Sequence, residues 1–213
     1  MKSLLILILF ITPQFTHAQY NQEIKRNVET DSIKALSYYD KAIDKIISDD
    51  NQGALQYLNK AIDLSPKNAE YYYTRAQAKE GLEDWEGAIQ DYTVAITLNP
   101  NHYRSYYNRG FIKFNLEPNE EALKDIDKAI ILKGNDEGYY NDRGVMKQRL
   151  GDINGAIEDY TKSIELDPND GLTYHNRGYC KQLLKDFDSA CNDAKKSKQL
   201  GYDAEELIND VCD

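Results

Sequence analysis

From residue 35 onward, apolar and small residues recur at helical spacing, and the whole pattern returns every 34 residues. In residues 137–170, Tyr140, Arg143, Gly144, Lys147 and Leu150 lie at helical intervals. Gly151-Asp152 interrupts them, and Ile153, Ala156, Ile157, Tyr160, Ile164 and Leu166 resume the pattern. Asp152 is placed to cap a second helix by accepting its free N–H groups. Asp167-Pro168-Asn169 ends that helix, because proline cannot continue it. The predicted unit is helix, tight turn, helix, turn. Four columns hold in every unit: Tyr38, Tyr72, Tyr106, Tyr140 and Tyr174; Lys45, Lys79, Lys113, Lys147 and Lys181; Ala54, Ala88, Ala122, Ala156 and Ala190; Leu64, Leu98, Leu132, Leu166 and Leu200. A repeat of this length predicts helical hairpins that each bury an apolar face on their neighbours. The units run 35–68, 69–102, 103–136, 137–170 and 171–204. The expected fold is all-α, a right-handed superhelical solenoid of five helix-turn-helix repeats with a C-terminal capping helix at 205–213.

Small residues fill the positions where two helices must approach closely. One column reads Ala42, Ala76, Gly110, Gly144, Gly178, and its expected partner across the hairpin is the Ala54 column. Glycine inside a helix costs about 1 kcal/mol against alanine, so three glycines in one column point to close backbone contact. A third small column is Ala61, Ala95, Ala129, Ser163, Ser197, while Leu58, Tyr92, Ile126 and Tyr160 supply larger knobs. The period, the small columns and the turn prolines Pro66, Pro100 and Pro168 together resemble the tetratricopeptide repeat family over residues 35–204. Gly134 and Tyr202 depart from the pattern at the proline position, as does Ile46-Ile47-Ser48 before the first turn. The resemblance implies a curved array whose concave face is lined by the first helices and binds peptides.

Two charged columns are candidates for the frame of the stack. Arg75, Arg109, Arg143 and Arg177 stand sixteen residues before Asp91, Asp125, Asp159 and Asp193. In the first unit both change together, to Lys41 and Tyr57. A partly buried guanidinium needs an acceptor, so the columns predict Arg–Asp bridges, within a hairpin or to the adjoining one. The alternative is a row of arginines lining a ligand groove. The lysine column is expected to lay its stems along the surface with the ammonium groups in water.

The first-helix face is where a partner is expected. Its columns read Tyr39, Tyr73, Tyr107, Asn141, His175; Asp40, Thr74, Asn108, Asp142, Asn176; and Ile43, Gln77, Phe111, Val145, Tyr179. The aromatics from Tyr39 to Tyr107 with Phe111 offer anchors, and Asn108, Asn141 and Asn176 with Gln77, His175 and Tyr179 offer polar and aromatic contacts to an extended peptide. The competing expectation is that part of this face packs inside the hairpins or against residues 19–34. Some members of the resembled family clamp a chaperone's terminal carboxylates with Lys, Asn and Arg here. The corresponding positions are Tyr, Ile, Thr and Asn, with Arg104 the one basic residue, so that ligand is not implied.

Composition narrows the classes. The chain has 213 residues, 26 Lys and Arg against 36 Asp and Glu, and a net charge of −10. That balance argues against nucleic acid and anionic lipid surfaces. Lys2, the apolar run Leu4–Ile11 and Thr16-His17-Ala18 form the three parts of a secretory signal over 1–18, too short for a span of about 20 apolar residues. Export to the periplasm or cell surface is therefore expected, with no membrane span after cleavage and an extension at 19–34 before the repeats. Export permits a disulfide. If residues 204–212 fold back on the last repeat helix, Cys191 and Cys212 lie equally far from the turn near Gly201-Tyr202, which predicts Cys191–Cys212 with Cys180 free; three reduced thiols are the alternative. His102 and His175 fall in different units without ligand spacing, and Trp85 is expected in the core. No cofactor, metal or catalytic group is expected. The reading is a non-enzymatic adaptor for a protein or peptide, with an accessory subunit of an envelope complex, or a glycan-binding module, as alternatives.

Overall fold

A computed structural model describes residues 17–212, which form eleven α-helices and, among the described residues, no strand. Hairpin 1 pairs α1 (His17–Ile47) with α2 (Asn51–Leu64), and hairpin 2 pairs α3 (Ala69–Glu80) with α4 (Trp85–Leu98). Hairpin 3 is α5 (Tyr103–Leu116) with α6 (Glu120–Leu132), and hairpin 4 is α7 (Glu137–Arg149) with α8 (Ile153–Leu166). Hairpin 5 is α9 (Gly171–Leu183) with α10 (Phe187–Gln199), and α11 (Glu205–Val211) packs on it. Each hairpin packs on the next in chain order, which makes the array a solenoid. The expected signal segment 1–18 lies outside the described residues except for His17 and Ala18, which open α1. Residues 19–34 are not a separate arm. They continue without a break into the first repeat, and α1 at 31 residues runs well past its 14-residue partner α2. At about 1.5 Å per residue the two helices measure roughly 46 and 21 Å.

The turns follow from local chemistry. Asp50, Asp84, Asp152 and Asp186 cap the second helices by accepting N–H groups of Gly53, Gly87, Gly155 and Ser189. Just before each of these caps the backbone is left-handed in hairpins 1, 2 and 4, at Asp49, Glu83 and Gly151. Lys185 takes the same conformation in hairpin 5. Hairpin 3 departs because Pro118 follows: Glu117 has φ −147°, the extended backbone that a residue before proline favours, and Asn119 caps α6 one position later.

Small columns set the depth of packing. Ala54, Ala88, Ala156 and Ala190 are fully buried, and Ala122 nearly so. Leu58, Tyr92, Ile126 and Tyr160 fill one interior column completely. The fifth member is Ala194, and there Leu207 and Val211 of α11 occupy the space a larger side chain takes elsewhere. A Cβ at Gly144 would lie 2.7 Å from the Tyr160 ring, so a side chain there would force that ring to shift. Cys191 and Cys212 are joined by a disulfide with Cα atoms 5.1 Å apart, fastening α11 to α10. Cys180 is free and buried, and burial pushes its thiol up to about 11, away from the reactive thiolate.

Candidate functional site

The seam inside each hairpin is a charged ladder. Arg75 Nε and Nη2 donate to both oxygens of Asp91 at 2.8 and 2.7 Å. Arg109 grips Asp125 at 2.8 and 2.7 Å, Arg143 grips Asp159 at 2.8 and 2.5 Å, and Arg177 grips Asp193 at 2.9 and 2.8 Å. The remaining Nη1 reaches back to the previous hairpin, to Asn59, Thr93, Asp127 and Thr161 in turn. Each guanidinium also lies over the tyrosine one turn earlier, Tyr72, Tyr106, Tyr140 or Tyr174, at 5.3 to 5.7 Å. The bridges are thus within a hairpin, and the same arginines contact the adjoining one. The lysine column does not sit in water as expected. Lys79, Lys113, Lys147 and Lys181 give the same aspartates a second cation, at 2.7, 3.2, 2.8 and 2.7 Å. The reason is reach: the lysine lies one turn beyond the arginine, so both point at one carboxylate. With both cations held, the arginines form a frame; the hydrogen-bond acceptors of Arg75 raise its already high basicity further.

The first-helix face differs from unit to unit. Tyr39 Oη and Thr74 Oγ1 are 3.2 Å apart, Tyr107 Oη donates to Asp142, and Asn176 Nδ2 donates to Asn141 Oδ1 at 3.3 Å. Each of these bonds joins neighbouring hairpins. Tyr73 departs from the expected exposed strip: it is buried, with its ring on Tyr92 at 5.7 Å and on His102 at 5.0 Å. His102 caps α5, its Nδ1 accepting the Ser105 N–H at 3.3 Å, and its Nε2 lies 3.1 Å from Glu70, whose carboxyl this bond holds below the usual range. That contact, made from the cap of the next hairpin, fills the ground over Tyr73. Asn108 Nδ2 donates to Tyr92 Oη at 2.8 Å, so its amide is committed between hairpins 2 and 3. His175 stacks on Tyr202 with its Nδ1 buried and unpartnered, and burial lowers its pKa. Tyr39 is half-buried, and Gln77, Phe111 and Tyr179 are exposed.

One apolar hollow opens here. A cavity of about 480 Å³ is lined by Glu80, Trp85, Phe111, Ile112, Asn115 and Leu116. Phe111 is 41% exposed, Leu116 56% and Trp85 39%. Trp85 is therefore not in the core as expected. It is the first residue of α4, directly after the left-handed turn, and its ring lies at the mouth of the hairpin rather than between helices. Phe111 stacks on Tyr107 at 6.1 Å, and Tyr107 stacks on Tyr139 at 4.3 Å, so the hollow continues as an aromatic floor across the first helices of hairpins 3 and 4. Glu80 accepts a hydrogen bond from Tyr92 Oη. Burial raises the carboxyls of Glu80 and Asp142 above their ordinary values. Among the described residues no helix is long and apolar enough to cross a membrane, and no group of three or more His, Cys, Asp or Glu is placed to hold a metal ion.

Glu80, Asn115, Leu116 and Asp142 were not among the expected contacts. The signal for Glu80 lies in its column, Ile46, Glu80, Phe114, Gln148, Gln182, where it is the one carboxylate. The expected groove residues separate into those that face outward, Gln77, Phe111 and Tyr179, and those spent on repeat-to-repeat bonds, Tyr39, Tyr107, Asn108, Asn141 and Asn176.

Hairpins in series, a shared small-residue interior and a face free to vary define a helical-repeat interaction scaffold. Models of the tetratricopeptide repeat match residues 69–102, 138–170 and 159–192, so these segments are tetratricopeptide repeats. Among solved structures it is similar to MamA from Desulfovibrio magneticus RS-1, with 21% identity, 78% of this chain and 94% of that chain covered, and a TM-score of 0.73. YrrB, described as a TPR protein with an unusual peptide-binding site, has 20% identity, 89% and 95% coverage, and a TM-score of 0.71. PilF of Pseudomonas aeruginosa has 17% identity, 81% and 78% coverage, and a TM-score of 0.71. At these identities the likeness is one of fold. No curated protein matches the chain.

Proposed function

We propose that this protein is a non-enzymatic adaptor that binds an extended segment of another protein along its first-helix face, centred on Phe111. The cavity at Trp85, Phe111 and Leu116 carries the reading, because exposed apolar side chains around a concavity, rimmed by polar groups, are the ordinary form of a partner site. The description of YrrB supports a peptide ligand for this kind of fold. Export belongs to the same reading: Lys2, the run Leu4–Ile11 and Thr16-His17-Ala18 suit a cleaved signal, and the Cys191–Cys212 disulfide suits an oxidising compartment. Mass spectrometry of the protein recovered from the periplasm or medium is expected to find Gln19 at its N-terminus.

The test is capture from envelope extract by the chain 19–213, beside a Tyr107→Ala/Phe111→Ala variant whose helical circular dichroism is unchanged. A partner held by the wild type and lost by the variant supports the groove. A partner retained by both favours a second reading, an accessory subunit of an envelope complex docked through another surface. The observation behind that alternative is α1, which extends beyond its partner helix and offers surface outside the stack.

A further inference from the structure

Glu80 and Asp142 carry negative charge that the fold does not require. Inside hairpin 4, Tyr160 Oη makes the same bond as Tyr92 Oη does, at 2.9 Å, to a neutral amide, Gln148 Oε1. Between hairpins, the position of Asp142 is held by Asp40 in the first repeat and by the neutral Thr74, Asn108 and Asn176 in the others, and Thr74 meets Tyr39 as Asp142 meets Tyr107. Neutral side chains therefore do both structural tasks elsewhere in the same molecule. The seam aspartates, which are at least as buried, each hold an arginine and a lysine. Glu80 and Asp142 form no such pair among the described residues, and the charge that acts on Asp142 is another carboxylate, Asp136. Keeping an unpaired charge half-buried costs free energy.

The two carboxylates are also placed on the aromatic floor. Glu80 is part of the cavity wall with Phe111, and Asp142 holds the hydroxyl of Tyr107, the ring stacked on Phe111. The cation on the far rim is already engaged. Arg149 lies over Phe114 at 4.9 Å and reaches Asn115 Oδ1 at 3.4 Å. The net charge of −10 draws cationic partners at long range.

We infer that the occupant of this groove is a peptide segment with a large apolar side chain flanked by lysine or arginine: the apolar side chain enters the Trp85–Phe111–Leu116 cavity, and the basic groups pair with Glu80 and Asp142. This rests on the groove reading above and adds the chemistry of the ligand. An acidic segment, or a chain terminus presenting its carboxylate, would meet like charge at either position.

Trp85 is the one tryptophan of the chain and lies in the cavity wall, so its emission reports occupancy directly. The probes are three pools of short acetylated, amidated peptides with a central leucine or phenylalanine flanked by Lys, by Glu or by Ser. The Lys pool is expected to shift Trp85 emission saturably and to bind at least about tenfold tighter than the Glu pool at low salt, with the preference shrinking as salt rises. Glu80→Gln/Asp142→Asn should erase the preference and leave the Ser pool unchanged; the fold should tolerate both, since Gln148 and Asn176 already stand at those positions. If Phe111→Ala abolishes binding but the Glu pool binds as tightly, or the charge variant changes nothing, the ligand chemistry is overturned and the groove stands. If no pool perturbs Trp85, or Phe111→Ala leaves binding intact, both fall.

Discussion

Two faces of each hairpin share one period and obey different rules. On the seam, hairpins 2 to 5 are near copies: an arginine, an aspartate, a lysine and a supporting tyrosine meet in the same geometry four times. On the first-helix face the corresponding positions pass through Tyr, Asn and His, or Gln, Phe, Val and Tyr. The seam repeats because each hairpin poses the same local problem, two helices at short range with a polar cluster at their edge. The outward positions Gln77, Phe111 and Tyr179 vary because no repeated contact within the stack fixes them. Position in the repeat thus separates residues that serve the stack from residues free to serve a partner.

The largest test of that division is at the seam. Asp159→Asn leaves Lys147 without its anion and Arg143 with Asp127 alone, and a loss of about 3 kcal/mol in denaturant unfolding is expected. An unchanged midpoint would mean that the ladder contributes nothing. Next comes the cap: Cys212→Ser opens the bond to Cys191, 21 residues earlier, and should remove about 2–3 kcal/mol while hydrogen exchange across 205–211 rises. Gly144→Ala follows, at about 1–2 kcal/mol, because the new methyl meets the Tyr160 ring. Gly178→Ala should do less, its nearest contacts being 3.2 Å; equal effects would undo the steric account.

On the groove the expected stability changes are small. Phe111→Ala should stay within about 0.5 kcal/mol of the wild type while partner binding is lost. The finest test is pH. Burial raises Glu80 and Asp142 above their unfolded values of 4.5 and 3.8, so folding favours their protonated forms. That contribution is fully present below the unfolded values and is lost as pH rises through the folded ones. Relative to wild type, Glu80→Gln/Asp142→Asn should therefore gain in melting temperature as pH climbs upward from about 4. A difference that narrows instead would show that these carboxylates are content in the fold.

The hairpins were legible because a 34-residue period, buried alanines and turn prolines all encode one repeated contact. The Arg–Asp columns were legible for the same reason, since covariation of the two at Lys41 and Tyr57 marks a shared task. The lysine ladder was not: a column records that lysine recurs, not whether its ammonium meets water or a carboxylate twelve residues on. Tyr73 and Tyr107 show a similar limit. They occupy one column, yet His102 of the next hairpin covers the first and no equivalent covers the floor at Phe111. The continuity of α1 was readable in principle, because no glycine or proline stands between residues 19 and 47. Trp85 was misplaced because an aromatic at the first position of a helix can turn either way, and the choice is made by the neighbouring repeat.

The backward reach of each arginine has a mechanical meaning. Every junction between hairpins carries one guanidinium rivet, but the rivets differ: Arg143 ends on a carboxylate, Asp127, whereas Arg75 ends on the amide of Asn59 and Arg109 and Arg177 on threonine hydroxyls. All four bonds have a charged donor, and Arg143 alone meets an opposite charge at the far end. Pulled along its length, the array would therefore meet its one ionic rivet at the third of four junctions, between hairpins 3 and 4, an uneven spring set by the chemistry of four acceptors.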